Sequence, residues 1–187
     1  GRPAALAFNG EVYRGLDAPS LSAKDLEYAQ QHLRILSGLY GVLRPLDAIQ
    51  PYRLEMGTRL KTRRGANLYQ FWGDDIADQL KSDLSGHGAQ TIVNLASNEY
   101  AKAAKLTSLD VPVISADFKE EKDGRLRALM VYAKKARGLM ARWMIENRIE
   151  DPARLKDFDL DGYRFDAAGS SKDTLLFTRP QPAPKKG

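Results

Sequence analysis

Not one of the 187 residues is a cysteine, and this narrows what the chain can fold into more than any other single feature. Disulfide frameworks, zinc knuckles, iron–sulfur clusters and thiolate nucleophiles drop out together, and the reducing cytosol becomes the expected compartment. The fold must then rest on buried apolar surface alone. A chain of this length suffices for that, since it buries roughly 70% of the surface its unfolded form exposes. With 43% hydrophobic and 28% charged residues the composition is that of one ordinary globular domain. Apolar runs such as Thr91 to Ala96 are too short to span a bilayer, and residues 1 to 20 carry no basic stretch leading into an apolar one. The chain is expected to be soluble and unsecreted, with no membrane contact.

The patterning predicts an α+β fold: a mixed sheet flanked by helices, with an embedded helix-hairpin-helix-like element. Pro3 to Phe8 reads as a short buried strand, expected to follow residues further upstream. Ser20-Leu-Ser22-Ala-Lys-Asp25 supplies a serine cap with an acid three residues on, and the helix it starts places Leu26, Ala29, Leu33 and Leu36 on one face until Gly38 ends it. A second helix runs from Asp74 towards Leu84. Gln90 to Leu95, then Ser97-Asn98 and Glu99 to Leu106, make a strand–turn–helix unit. Val111 to Phe118 is a strand, and Asp123-Gly124 turns it into a partner over Arg125 to Tyr132. A long helix follows over Ala133 to Arg148, then a helical turn from Asp151-Pro152, then a terminal strand pair at Gly162 to Phe165 and Thr174 to Thr178. No repeat or linker divides the chain, so residues 1–178 are expected to be one domain and the proline-rich residues 179–187 a disordered tail.

Charge is segregated. The sum is +5, from 29 Lys+Arg against 24 Asp+Glu. Between Arg34 and Arg64 the basic side chains of Arg34, Arg44, Arg53, Arg59, Lys61, Arg63 and Arg64 meet only Asp47 and Glu55. Between Arg125 and Arg148 seven more meet only Glu146. Such segregation favours a basic face and an anionic partner.

Two stretches stand out within those segments. In Arg34 to Arg44, a helix stopping at Gly38-Leu-Tyr40-Gly41 resembles a turn whose glycines let backbone N–H groups approach a phosphate; the competing explanation is a left-handed helix cap with solvated arginines. In Ala133 to Arg148, Lys134, Lys135, Arg137 and Arg142 crowd the N-terminal half of a helix whose macrodipole disfavours cations there unless an anion is bound. Arg53 belongs to the first basic segment. Gly138 is costly in a helix by about 1 kcal/mol and implies close packing or backbone approach.

Other signals are weaker. Asp157-Phe-Asp159-Leu-Asp161-Gly162 copies the first half of a calcium loop, but its twelfth position is Ala168, so it is expected to be a turn with Phe158 and Leu160 packed inward. His32 and His87, 55 positions apart, are expected to be a helix surface residue and a loop residue. No metal site and no cofactor is expected, and the usual dinucleotide, P-loop and serine-hydrolase signatures are absent. Asn94 to Tyr100 sits where strand meets helix, a place where α/β proteins bind ligands. Ser97, Glu99, Asp117 and Lys134 form a candidate acid–base set, which keeps an enzyme acting on a phosphorylated or nucleotide-like small molecule as the alternative. No catalytic residue is assigned.

The blocks Leu6 to Leu16, Gln30 to Asp47, Gln50 to Gly57, Leu68 to Gly73, Asn94 to Tyr100, Tyr132 to Arg142, Ile145 to Arg148 and Phe158 to Phe165 closely resemble the bacterial YaaA peroxide-stress family. The resemblance implies a cytoplasmic protein that binds double-stranded DNA through a positively charged cleft and helps protect it by limiting unincorporated iron. It places Gly38-Leu-Tyr-Gly41 on the family's hairpin and Lys134-Lys-Ala-Arg137 on its basic motif. The family's N-terminal strand with a Ser-Pro-Ala-Lys-like motif has no counterpart in this sequence. Taken together, the expected DNA contacts are Arg34, Gly38, Tyr40, Gly41, Arg44, Arg53, Lys134, Lys135, Arg137 and Arg142. Binding is expected to be indifferent to sequence, because no helix presents Asn, Gln and Arg at base-reading positions.

Overall fold

The computed structural model describes residues 1–184. Arg2–Pro3 (β1) is extended, but the expected strand stops there and Ala4–Ala7 (α1) is a helical turn. Alanine is the best helix former, and small side chains let this turn sink into the core, where Ala4 and Ala5 are buried and their N–H groups donate to the Asp47 and Pro45 carbonyls. Glu11–Leu16 (α2) follows. Ser22 then caps Ala23–His32 (α3), its Oγ accepting from the Asp25 N–H at 3.1 Å.

The helix ends at His32, earlier than the apolar spacing implies, and this corrects the helix-hairpin-helix expectation. Ile35–Ser37 (β2) and Gly41–Leu43 (β3) form an antiparallel hairpin with Ile35 opposite Leu43 and Ser37 opposite Gly41. Alternation decides it: Ile35 and Ser37 are buried while Leu36 is only half-buried, the period of a strand. Gly41, at φ +77°, supplies the left-handed residue that a short hairpin loop requires. Ala48–Ile49 (β4) returns to pair with β1.

Asn67 caps Leu68–Trp72 (α4), and Asp75–Leu84 (α5) follows. The main sheet is built from the second half of the chain. Ile92–Asn94 (β5) leads through Asn98–Ala103 (α6) to Val113–Lys122 (β6), which lies parallel to it. Arg125–Arg127 (β7) folds back on β6 across Asp123-Gly124, both at positive φ. The expected continuation of that strand to Tyr132 gives way to helix, because Met130–Glu146 (α7) starts with the Leu129 carbonyl already accepting from the Ala133 N–H. Arg164–Asp166 (β8) pairs with Thr174–Pro180 (β9), and β9 runs parallel to β6, giving the order β5-β6-β9-β8 with β7 beside the end of β6. The chain is thus α+β with a mixed sheet.

Strand β9 continues through Arg179 and Pro180, past the expected domain edge at residue 178, while residues 185–187 of the expected tail lie outside the described residues. Of the two residues expected to pack inward from the acidic turn, Phe158 is buried and Leu160 is exposed.

α7 joins two cores. Its Ala141 and Ile145 pack with residues of α1, α2 and α3, while Ala133, Ala136 and Met140 pack with Phe118, Phe158, Tyr163 and Phe177 around the sheet. A third apolar cluster lies under α4, α5 and α6 around Met56, Leu68 and Ile76.

Candidate nucleic-acid interface

The structure sorts the expected contact residues by what already holds them. Gly38 and Gly41 are buried, and the protein itself occupies the space that their missing side chains leave. A Cβ on Gly38 would lie 2.6 Å from the Leu54 carbonyl oxygen, and one on Gly41 would lie 2.9 Å from the Trp72 ring. Trp72 Nε1 also donates to the Gly38 carbonyl at 2.9 Å. The Tyr40 N–H donates to Ser37 Oγ, and the Tyr40 hydroxyl accepts from the Gln50 N–H at 3.1 Å.

Arg34 and Arg142 are also occupied internally. Arg34 Nε donates to Asp83 at 2.7 Å, while its Nη1 reaches the Gln30 and Leu33 carbonyls behind α3. Burial is the largest single influence on the Asp83 carboxyl and raises it, but the hydrogen bonds from Arg34 and Gln79 together with the positive charges of Arg34 and Arg44 outweigh burial and hold this carboxyl below its usual range. Arg142 clamps the end of α2, donating to the Leu16 and Asp17 carbonyls and Ser20 Oγ, and pairs with Glu146 at 2.6 Å. Arg44 is exposed and paired with Asp47 at 3.1 Å.

Arg53, Lys134 and Lys135 remain exposed, with no ion pair or side-chain hydrogen bond among the described residues. Ala133 and Ala136 turn inward from α7, so Lys134 and Lys135 leave its first turns outward. No acid lies in the first turn and no side chain caps it. Beside it stands the two-stranded ribbon of β6 and β7, where Lys122 is opposite Arg125 and Glu120 is opposite Arg127. Side chains alternate along a strand, so Lys122, Arg125 and Arg127 share the face that Glu120 buries lower down. All three cations are exposed and unpaired among the described residues. Glu121 on the opposite face and Asp123 at the tip are the nearby acids.

A buried polar knot fixes ribbon and helix to one another. Arg179 Nε donates to Glu120 Oε2 at 2.8 Å and its Nη1 pairs with Asp161 at 2.9 Å. The Tyr163 hydroxyl donates to Glu120 Oε1 at 2.6 Å. The same guanidinium lies 5.0 Å from the Tyr132 ring centre, in the first turn of α7, and 4.4 Å from that of Tyr163. Burial and the bond to Glu120 push the Tyr163 hydroxyl well above the usual phenol range.

Arg137 differs from its lysine neighbours. It is half-buried and lines a cleft of about 240 Å³ with Asn94, Asn98, Ser115, Asp117 and Thr174. Burial lowers the guanidinium pKa, with Asp117 acting in the opposite direction. Of the acid–base candidates, Asp117 enters this cleft; Glu99 is engaged by the Gly57 N–H, and Lys134 points to solvent. Lys122, Arg125 and Arg127 of the ribbon and the cleft residues Asn94, Asn98, Ser115 and Thr174 were outside the expected set of contacts. The Asp123-Gly124 turn was the available signal for the ribbon. His32 and His87 come together with ring centres 4.8 Å apart, which their separation in sequence gave no reason to expect. Among the described residues, no group of three or more His, Asp or Glu is arranged to hold a metal ion, and no helix is long and apolar enough to cross a membrane.

A family model described as peroxide stress protein YaaA matches residues 1–169. A UPF0246 protein from Maricaulis maris is 67% identical over 182 residues, which is 97% of this chain and 69% of that protein. A UPF0246 protein from Caulobacter vibrioides is 59% identical over 97% of this chain and 71% of its own length. One from Marinomonas sp. is 58% identical over 186 residues, or 99% of this chain and 71% of the relative.

Proposed function

We propose, from the premise that the chain belongs to the peroxide stress protein YaaA family, that it binds duplex DNA in the cytoplasm during the peroxide stress response. One observation carries this reading: Lys122, Arg125 and Arg127 on the ribbon, and Lys134 and Lys135 on the opening turns of α7, are exposed cations without partners among the described residues. Five such charges beside an uncapped helix start suit a row of phosphates, whose neutralisation releases condensed counterions. Arg53 supplies a further phosphate contact. The hairpin at Gly38–Gly41 supports the fold and leaves phosphate contact to the lysines and arginines. Contacts of this type position DNA without reading its sequence. The resulting cover protects the duplex, and the lowering of unincorporated iron belongs to the same proposed role.

Fluorescence anisotropy of labelled duplexes of unrelated sequence, titrated at several salt concentrations, tests the proposal. A linear fall of log K with log salt, equal across sequences, is expected, and each of Lys134→Glu, Lys135→Glu and Arg125→Glu should weaken binding in all of them. Unchanged affinity in all three folded variants would sink it.

A further inference from the structure

The cleft at Arg137 has a construction of its own, apart from the exposed cations of the ribbon and the start of α7. Ser115 pairs with Asn94 of β5 and with Thr174 of β9, so those two strands lie on opposite edges of β6. Glu120 pairs with Arg127 of β7 and with Arg179 of β9, so β7 shares the β5 edge. β5 stops at the level of Ser115 and β7 begins at Glu120, which leaves residues 116–119 with no strand beside them on that edge. The cleft opens at this gap, and α7 brings Arg137 to it.

Its lining is polar and fixed. The Asn94 amide donates to Ser115 Oγ at 3.2 Å, while Asn94 Oδ1 accepts from the Ala96 N–H at 3.0 Å. Arg137 has neither a hydrogen bond nor an ion pair among the described residues, although burial has removed part of its water. A guanidinium in that state lacks compensation, and its planar fork matches an oxyanion through two parallel N–H donors. Asp117 stands at the exposed lip. Its charge acts on Arg137, yet the two groups do not close to within ion-pair distance. One cation inside and one carboxylate at the mouth, held apart, complement a molecule with an anion at one end and a cationic donor a few bonds away. No aromatic ring lines the cleft on which a nucleobase would stack, and about 240 Å³ falls below the range of about 300–1,000 Å³ typical of drug-sized ligands.

We propose that this cleft binds the carboxylate–ammonium head of a free α-amino acid, with the carboxylate on Arg137 and the ammonium on Asp117.

The test is a ¹H–¹⁵N NMR titration of the whole chain with a panel of L-amino acids and, separately, with acetate, ethylamine, inorganic phosphate and AMP, each up to about 10 mM. At least one amino acid should shift the amides of residues 94–98, 115–117 and 174 saturably, and more tightly than acetate or ethylamine. Arg137→Gln and Asp117→Asn should each weaken it at least tenfold, whereas Lys134→Glu should leave it unchanged. Asp117 is exposed, so Asp117→Asn keeps the test open should Arg137→Gln fail to fold. Acetate binding should depend on Arg137 and ignore Asp117. The proposal is overturned by the absence of saturable shifts with every amino acid, by indifference to Asp117→Asn, or by tighter binding of phosphate or AMP, which would make this a phosphate site.

Discussion

Gly15 of α2 and Gly138 of α7 meet where the two helices cross, and each occupies the point at which the other helix's backbone passes. A Cβ on Gly138 would collide with the Val12 carbonyl oxygen and stand 2.8 Å from the Leu16 nitrogen; one on Gly15 would collide with the Lys135 carbonyl oxygen and stand 2.9 Å from the Leu139 nitrogen. Glycine inside a helix costs about 1 kcal/mol relative to alanine, so on propensity alone Gly138→Ala should stabilise. Here backbone blocks the added methyl on both sides. Gly138→Ala and Gly15→Ala are each expected to cost about 3 kcal/mol, at the upper end for overpacking, and to lower Tm by about 6–12 °C. Calorimetry of either variant showing a Tm at or above that of the parent would refute the close crossing.

The hairpin glycines give a second contrast. At φ +77° and 2.9 Å from Trp72, Gly41→Ala suffers both backbone strain and crowding, and about 2 kcal/mol of lost stability is expected. DNA affinity measured well below the new Tm should stay within about twofold of the parent, since the glycine serves the fold. A folded Gly41→Ala chain that loses DNA binding would return the phosphate-cradling role to this turn.

Arg179 holds the buried polar knot together from the end of β9. Arg179→Met leaves the Glu120 carboxylate buried with only the Tyr163 hydroxyl, and breaking a buried pair from one side costs about 3–5 kcal/mol. Ending the chain after Thr178 should be at least as damaging, whereas ending it after Pro182 should be tolerated. Urea midpoints of the three chains provide the comparison; equal midpoints for all of them would show the polar knot to be dispensable.

Acid should loosen the contact between α5 and the segment that joins α3 to β2. The Asp83 carboxyl, raised by burial but lowered further by Arg34 and Gln79 acting together with the charge of Arg44, has a folded pKa below its unfolded value of about 3.9. A depressed carboxyl contributes stability above the unfolded pKa and loses it as pH falls through the folded one, so the Asp83–Arg34 contribution should fade below about pH 4. Thermal melts of the parent and Asp83→Asn should differ most at pH 6 to 7 and converge towards pH 3. A gap that stays constant over that range would remove the linkage.

The two halves of the chain differed in how much of this could be read in advance. Residues 90–178 announced themselves: β-branched runs at Thr91 to Val93 and Val111 to Ile114, the Asp123-Gly124 turn and the Asp151-Pro152 start are local signals, and the structure places strands, turn and helix near them. Residues 33–43 misled because Leu33 and Leu36 continue a helical spacing that tertiary pairing overrides, Ile35 finding Leu43 across the hairpin. The basic segments were visible as composition, but composition does not show that Arg34 turns to Asp83, 49 positions away, or Arg142 to Leu16, 126 positions back. Partners at that separation are set by the fold and leave no local trace. For the same reason the cleft, assembled from β5, α6, β6, α7 and β9, was represented by Asn94 to Tyr100 at the end of its first strand and by Asp117 and Arg137 as separate candidates, with nothing local to bring them together.

Because α7 contributes Ala141 and Ile145 to one core and Ala133, Ala136 and Met140 to another, neither apolar cluster can come apart while the other keeps this helix in place. The amides in the middle of α7 should therefore exchange with solvent only through global unfolding, at the same free energy as those of β6, so that the molecule melts as one cooperative unit even though its sheet and its N-terminal helices share no strand.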